Sequence, residues 1–195
     1  MALWSFVPKQ VLAQEKIAFG ISTQIFNTRF LTNVSNFQTK GIYRPGTVAF
    51  VDWKFSKRYD LRSGLGYSLM TQNSDVFKNN INYLVVPVYL KSGQFKENSR
   101  FAFTKFYGVN LHYLLGTKHI ALDGTKTDIT NECRKFHFDL TAGVGVKYKL
   151  SNQFTLEALA AYSLGYFINK PNDAFIDINN FNSGFMLNLS YRLKK

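Results

Sequence analysis

Apolar residues recur at every second position through most of this chain. In "QFTLEALAAYSLGYFI", Gln153 to Ile168, the residues Phe154, Leu156, Ala158, Ala160, Tyr162, Leu164, Tyr166 and Ile168 are apolar, with Thr155, Glu157, Ser163 and Gly165 between them. That alternation is the pattern of a strand with two unlike faces. Composition argues the other way, because Leu, Glu and Ala are strong helix formers and Leu156, Ala160, Leu164 and Phe167 also fit a helical spacing. An internal repeat decides between the two. "FSKRYDLRSGLGYSL" (Phe55 to Leu69) aligns with "LSNQFTLEALAAYSL" (Leu150 to Leu164), matching Ser56 to Ser151, Leu61 to Leu156 and Tyr67-Ser68-Leu69 to Tyr162-Ser163-Leu164. The first copy has Gly64 and Gly66 at its centre, which suits a helix poorly. It sets Tyr59, Leu61, Leu65, Tyr67 and Leu69 on one face. Both copies therefore read as strands, each the second arm of a hairpin turning at "SKRYD" or "LSNQ".

The same pattern predicts eight antiparallel strands: Ile17–Phe26, Thr47–Phe55, Tyr59–Leu69, Ile81–Lys91, Phe101–Leu114, Phe136–Lys149, Phe154–Ile168 and Gly184–Leu193. Several reach the roughly 9–11 residues that a tilted strand needs to cross a bilayer. Pro87 interrupts the fourth and is assigned to a bulge, since proline removes a ladder hydrogen bond. Connections near 56–58, 92–100 and 150–153 are short. Those near 27–46, 70–80, 115–135 and 169–183 are long and rich in Asn, Thr, Asp and Lys. Strict alternation of short and long gathers the long loops at one end and both termini at the other, as in bacterial outer-membrane barrels. The faces agree. Gly64, Gly66, Ser68, Asp139, Thr141, Gly143, Gly145, Glu157, Asn188 and Arg192 form the small or polar face, and large aliphatic and aromatic residues form the other. A membrane barrel turns the apolar face to lipid, whereas a soluble lipocalin-like barrel would invert the arrangement. The prediction is an all-β, eight-stranded antiparallel transmembrane barrel of meander topology spanning 15–195.

Composition adds three limits. Aromatics make up 16% of the 195 residues, so the chain has ample apolar surface to bury and does not read as disordered. The single Cys133 excludes an internal disulfide and a CxxC metal site. No apolar run is long enough for a transmembrane helix. The opening "MALWSFVPKQVLAQ" resembles the end of a secretory signal cleaved near Ala13 and Gln14. It lacks a basic start, so 1–14 are assigned to a signal-peptide remnant.

With the "AQ" end, "NYLVVPVYLK" (Asn82 to Lys91), "FYGVNLHYLLG" (Phe106 to Gly116), "LSNQFTLEALAAYSLGY" and the terminal "LSYRLKK", the chain resembles the small outer-membrane β-barrels of the PorT-like/OmpA-like group of Bacteroidota. The resemblance implies a fold and an outer-membrane location. It carries no catalytic residue. The end "LSYRLKK" resembles a barrel-assembly signal but departs from the common terminal aromatic, with Lys195 last.

Chemical motifs are absent: there is no GxSxG, P-loop or HExxH. No catalytic, cofactor-binding or metal-binding set is assigned, and neither an enzyme nor a cofactor is expected. His112 and His137 fall on the inward face and read as hydrogen-bonded lumen or rim histidines, with a metal or acid–base pair as the alternative. "HFD" turns His137 and Asp139 inward together. The repeat does single out charges. It sets Asp52 against Lys147 and Arg62 against Glu157, so one hairpin carries the pair Asp52–Arg62 and the other Lys147–Glu157 with polarity reversed.

Net charge is +12, and just over half of the 24 basic residues fall at the short-turn end and termini, counting Arg62, Lys91 and Lys147 with Lys57, Arg58, Lys96 and Arg100. The last four define a periplasmic basic collar facing anionic lipid head groups or an acidic partner. Trp53, Tyr59, Tyr148 and Tyr191 fit membrane-interface aromatics better than a nucleic-acid surface. The functional expectation is a barrel with a plugged polar lumen, serving as a structural or accessory subunit of an outer-membrane assembly for secretion, insertion or uptake. Its partners would be the lipid bilayer and other outer-membrane proteins, not nucleic acid. A small channel or ligand-binding barrel is the alternative, with a soluble lipocalin-like barrel more remote.

Overall fold

Eight long strands carry the alternating pattern in a computed structural model that describes residues 17–32, 40–75, 77–166 and 178–193. They are β1 (Ile17–Thr32), β2 (Ile42–Lys54), β3 (Tyr59–Asn73), β4 (Phe77–Ser92), β5 (Phe101–Ala121), β7 (Phe136–Lys149), β8 (Phe154–Tyr166) and β9 (Ile178–Arg192). A three-residue strand, β6 (Lys126–Asp128), folds back on the end of β5. Each long strand pairs antiparallel with its sequence neighbour, and β1 pairs with β9 to close the ring. Closure matters physically, because an unpaired backbone N–H or C=O facing hydrocarbon costs several kcal/mol and a closed ladder leaves none. The segment assigned to a signal remnant lies outside the described residues, as do 33–39 and 167–177.

The outer surface is apolar. Phe19, Ile21, Ile25, Leu65, Phe103, Leu111, Leu140, Val144, Val146, Leu187 and Leu189 all point away from the barrel and are exposed. A water-soluble barrel would have to hydrate this belt, so the soluble lipocalin-like alternative is excluded by the direction of the faces. Aromatic rings border the belt at both ends. Trp53, Phe55 and Tyr59 lie close together at the short-turn end, with Phe101 against Tyr148 and Phe154 against Tyr191. Tyr113 and Phe136 pack together toward the other end. The four aromatics assigned to an interface from sequence all belong to the first of these girdles.

Three expectations change in detail. The connection expected to be long at 70–80 is a tight turn, with β3 running to Asn73 and β4 starting at Phe77. Asn, Gln and Thr read as loop formers because their side chains compete with the backbone for hydrogen bonds. Here those side chains bond one another across the ladder: Asn79 donates to Gln72 at 2.8 Å and Thr71 to Asn80 at 3.1 Å, each pair in register. β1, β2, β5 and β9 also run past their predicted ends at the long-loop side. Pro87 does not sit at a bulge. Its register with Asn110 is regular, and the bulge lies at Asn82/Tyr83 opposite Leu114 and Gly116. The missing N–H falls where the β3–β4 ladder is interrupted, between Ser63↔Val88 and Gly66↔Val85.

The long loop after β5 is also more ordered than a plain excursion. β6 and a 3-10 turn at Thr130–Glu132 shape it. Hydrogen bonds from Thr125 and Thr130 hold the exposed Asp123 and Asp128 carboxyls below the usual carboxylate range.

Glycines let the wall accept ring edges from inside. Gly143 faces the Phe106 ring and Gly20 the Phe50 ring. A Cβ at Gly143 would collide with Phe106 and sit 2.6 Å from the Ala160 carbonyl oxygen, which is backbone and cannot swing away. Gly143→Val should therefore destabilise the barrel by about 1–3 kcal/mol, the usual cost of overpacking, measured by urea unfolding in lipid vesicles. Gly116→Ala, whose Cβ would make only an ordinary 3.6 Å contact with Thr130, should change stability by no more than about 0.5 kcal/mol. Equal effects at the two sites would contradict this account of the wall.

Candidate functional site in the barrel lumen

Among the described residues, side chains occupy the barrel interior in three layers. At the short-turn end lies a layer of charge. Asp52 and Arg62 stand opposite each other on β2 and β3, and Lys147 and Glu157 opposite each other on β7 and β8. Arg62 grips Asp52 with both arms of its fork, Nε at 2.7 Å and Nη2 at 2.8 Å. This bidentate geometry is the strongest form of carboxylate pairing. The same Nη2 reaches Glu157 at 3.2 Å, and because β3 and β8 are not neighbours this bond crosses the lumen. Lys91 on β4 joins both halves, with Nζ 2.8 Å from Glu157 and 3.3 Å from Asp52. Lys147 lies 3.9 Å from Glu157 and 3.7 Å from Asp60, and donates to the Gly93 carbonyl at 3.1 Å. Asn188 of β9 donates to Glu157 at 2.8 Å, and the Phe50 ring lies 3.6 Å below the Arg62 guanidinium.

The four charged residues singled out by the repeat thus meet in one place, but not as two separate pairs. Lys91 and Asp60 complete a network of three cations and three carboxylates. Sequence pairing within each hairpin could not find the link, because it runs between hairpins across the lumen. A signal for Lys91 existed: it is the one charged position on the inward face of β4. Arg62, Lys91 and Lys147, counted with the basic residues of the short-turn end, are buried and belong to the lumen.

The middle layer is apolar. Tyr89, Phe106, Leu159, Ala161 and Met186 form one cluster, and Met70, Ile81, Tyr83, Val85 and Leu114 a second nearer the long loops. The expectation of a polar lumen therefore holds only in part. An eight-stranded interior is just wide enough for side chains to fill it. With no water column to solvate, apolar residues pack there as in any protein core. β4 shows the consequence, since its near-continuous apolar run, Leu84 to Leu90, serves lipid on one face and this core on the other.

Within the long-loop half, His112, His137 and Asp139 come together. His112 and His137 face each other in register across β5 and β7. Their rings stack in parallel, with centroids 4.4 Å apart. His112 Nε2 lies 3.1 Å from Asp139 Oδ2, which also accepts from Asn182 at 3.2 Å and Ser163 at 3.4 Å. The inward placement of both histidines matches the sequence reading. His119 sits elsewhere, bonded to Asn79 at 2.8 Å. Cys133 packs against the second apolar cluster. Lys57, Arg58, Lys96 and Arg100 are exposed on the two short connections 55–58 and 93–100, at one rim of the barrel.

A cavity of about 40 Å³ at the short-turn mouth is lined by Asp52, Asp60, Arg62, Lys91, Lys147 and Glu157, among others. That is room for two or three waters, not a passage.

No protein-family model and no curated protein matches the sequence. Solved structures do share the fold. Neisserial surface protein A superimposes with a TM-score of 0.51 at 10% identity, covering 90% of this chain and 99% of that one. The attachment invasion locus protein Ail of Yersinia pestis gives 0.48 at 13% identity, over 91% and 98%. The outer membrane protein OprG from Pseudomonas aeruginosa gives 0.48 at 12%, over 92% and 97%. At such identities the likeness is one of fold: this chain is similar in architecture to small bacterial outer-membrane β-barrels.

The network geometry makes a prediction that independent pairs would not. Exchanging the charges of one pair, Asp52→Arg with Arg62→Asp, sets a cation against Lys91 and an anion against Glu157. The double exchange should therefore fold no better than either single reversal. Lys91→Met leaves three carboxylates facing two cations and should cost about 3–5 kcal/mol, the usual penalty for breaking a buried pair from one side. Adding Glu157→Gln should recover part of that loss. Unfolding in lipid vesicles measures each, and full rescue by the double exchange would contradict the network.

Proposed function

We propose that this protein is a sealed outer-membrane barrel acting as a structural or accessory subunit of an outer-membrane assembly, and not as a solute pore. One observation carries the reading: the lumen is closed by a charge network that spans it and by apolar clusters stacked above. Such packing among the described residues supports a lumen without a continuous water path. The outward apolar belt and the fold shared with outer-membrane barrels support the location. The sequence resemblance to the PorT-like group of Bacteroidota supports membership there.

The rim residues give the barrel a means of docking. With the long loops outside the cell, the short connections face the periplasm. Lys57, Arg58, Lys96 and Arg100 then form a basic collar beside the head groups. Each exposed cation near an anionic surface contributes up to about 1 kcal/mol, screened by salt. Its partners would be anionic lipid head groups and, in an assembly, an acidic face of another outer-membrane protein.

Planar-bilayer recordings of pure protein should show no reproducible conductance steps, and steady conductance would overturn the sealed-barrel reading in favour of a small channel. Photo-crosslinkers placed at Lys57 and Lys96 in intact cells should yield a discrete, heavier protein adduct. Lipid adducts alone would contradict the accessory-subunit role. Neutralising all four collar residues should lower the number of phosphatidylglycerol molecules retained in mild detergent, as counted by native mass spectrometry.

A further inference from the structure

His112, His137 and Asp139 play no part in sealing the barrel at its charged end, and they are not satisfied as they stand. The three side chains are almost fully buried, with 3%, 1% and 1% exposure. His112 Nδ1, both ring nitrogens of His137 and Asp139 Oδ1 lack hydrogen-bond partners. An imidazole buried with neither nitrogen bonded loses the hydration of both and gains nothing in return. The ion-pair partners of Asp139 among the described residues are these two imidazoles, so a buried carboxylate lies against two groups that are neutral unless protonated. What is missing is a compact positive charge that accepts lone pairs.

We propose that His112, His137 and Asp139 form a binding site for a divalent transition-metal ion of the zinc type, held inside the barrel near its long-loop end. The ligand chemistry fits: imidazole nitrogen and carboxylate oxygen are the usual zinc donors besides thiolate, and three protein ligands leave one position for water. Spacing fits as well. Donors about 2.0–2.1 Å from a tetrahedral ion stand about 3.4 Å from one another. Here His112 Nε2 is 3.1 Å from Asp139 Oδ2 and His137 Nε2 is 3.5 Å from Asp139 Oδ1, and donor atoms of the three residues all lie within 4.8 Å.

The surroundings are arranged as a support for such a site. Ser163 and Asn182 both bond Asp139 Oδ2 and also each other, at 2.8 Å, which fixes the carboxylate. Outer bonds of this kind orient ligands and tune affinity. The Tyr83 ring stands edge-on to both imidazoles, with centroids 5.3 and 4.6 Å away, and so walls the pair. Gly165 lies opposite Asp139 on β8, and a Cβ there would displace the Asp139 and Asn180 side chains.

The test uses the full-length barrel, tag removed, refolded in detergent and stripped with chelator. Calorimetric titration with Zn²⁺ should give one ion per barrel. His137→Gln and Asp139→Asn should each weaken binding at least about tenfold, since loss of a supporting bond alone typically costs 10–100-fold. His112→Asn with His137→Gln should abolish it, while heat-modifiable gel migration reports that the barrel still folds. Cys133→Ser should leave affinity unchanged. Co²⁺ loaded into the wild type gives a readout independent of the variants: tetrahedral visible bands without a thiolate charge-transfer band are expected. The proposal is overturned if the wild type binds no Zn²⁺ or gives no tetrahedral Co²⁺ spectrum. It is equally overturned if the folded double variant binds like the wild type, or if Cys133→Ser is the change that removes binding.

Discussion

Arg62 reaching across the lumen to Glu157 is the contact on which the rest of this barrel turns. A closed sheet of eight strands in a membrane has lipid on one side and almost no solvent on the other. Charges placed inside cannot be hydrated, so they must find one another. Three cations and three carboxylates do so here from β2, β3, β4, β7 and β8. The network ties opposite walls together at the short-turn end. The apolar clusters above it pack as a core. In the proposed reading, sealing and stability are two consequences of one arrangement.

Local pattern and long-range pairing divide what the sequence discloses from what it conceals. The strands were legible because lipid on one face enforces strict alternation, as in Tyr59, Leu65 and Tyr67 against Arg62 and Gly66. The helix-like "LEALAA" yields to that period because its neighbours on β7 and β9 supply the pairing. Strand ends were harder to read. Thr71, Gln72, Asn79 and Asn80 are turn formers in isolation, and only their cross-strand bonds make them strand. The lumen was legible by halves. Asp52 with Arg62 and Lys147 with Glu157 are register partners within hairpins. That Lys91 points inward follows from alternation on β4, but which carboxylates it meets depends on which walls face each other across the barrel, and alternation along one strand says nothing of that.

His112, His137 and Asp139 illustrate the same boundary. That they point inward follows from period two. That two imidazoles stack in register beside one carboxylate follows from the β5–β7 pairing, which joins strands separated by a long loop. The sealed lower lumen and the unsatisfied upper cluster also separate two roles within one narrow interior: one end holds the walls together, and the other leaves donor atoms uncommitted.

The central claim is that the walls are coupled through the lumen, and a double-mutant cycle on Arg62→Met and Glu157→Gln measures it most directly. Each variant and the double are unfolded reversibly in lipid vesicles. Coupled walls predict that the double variant loses less than the sum of the two single losses, by about 1–3 kcal/mol, as expected for residues sharing one buried network. Additivity within about 0.3–0.5 kcal/mol, the behaviour of independent sites, would show that the two walls do not communicate and would contradict the account.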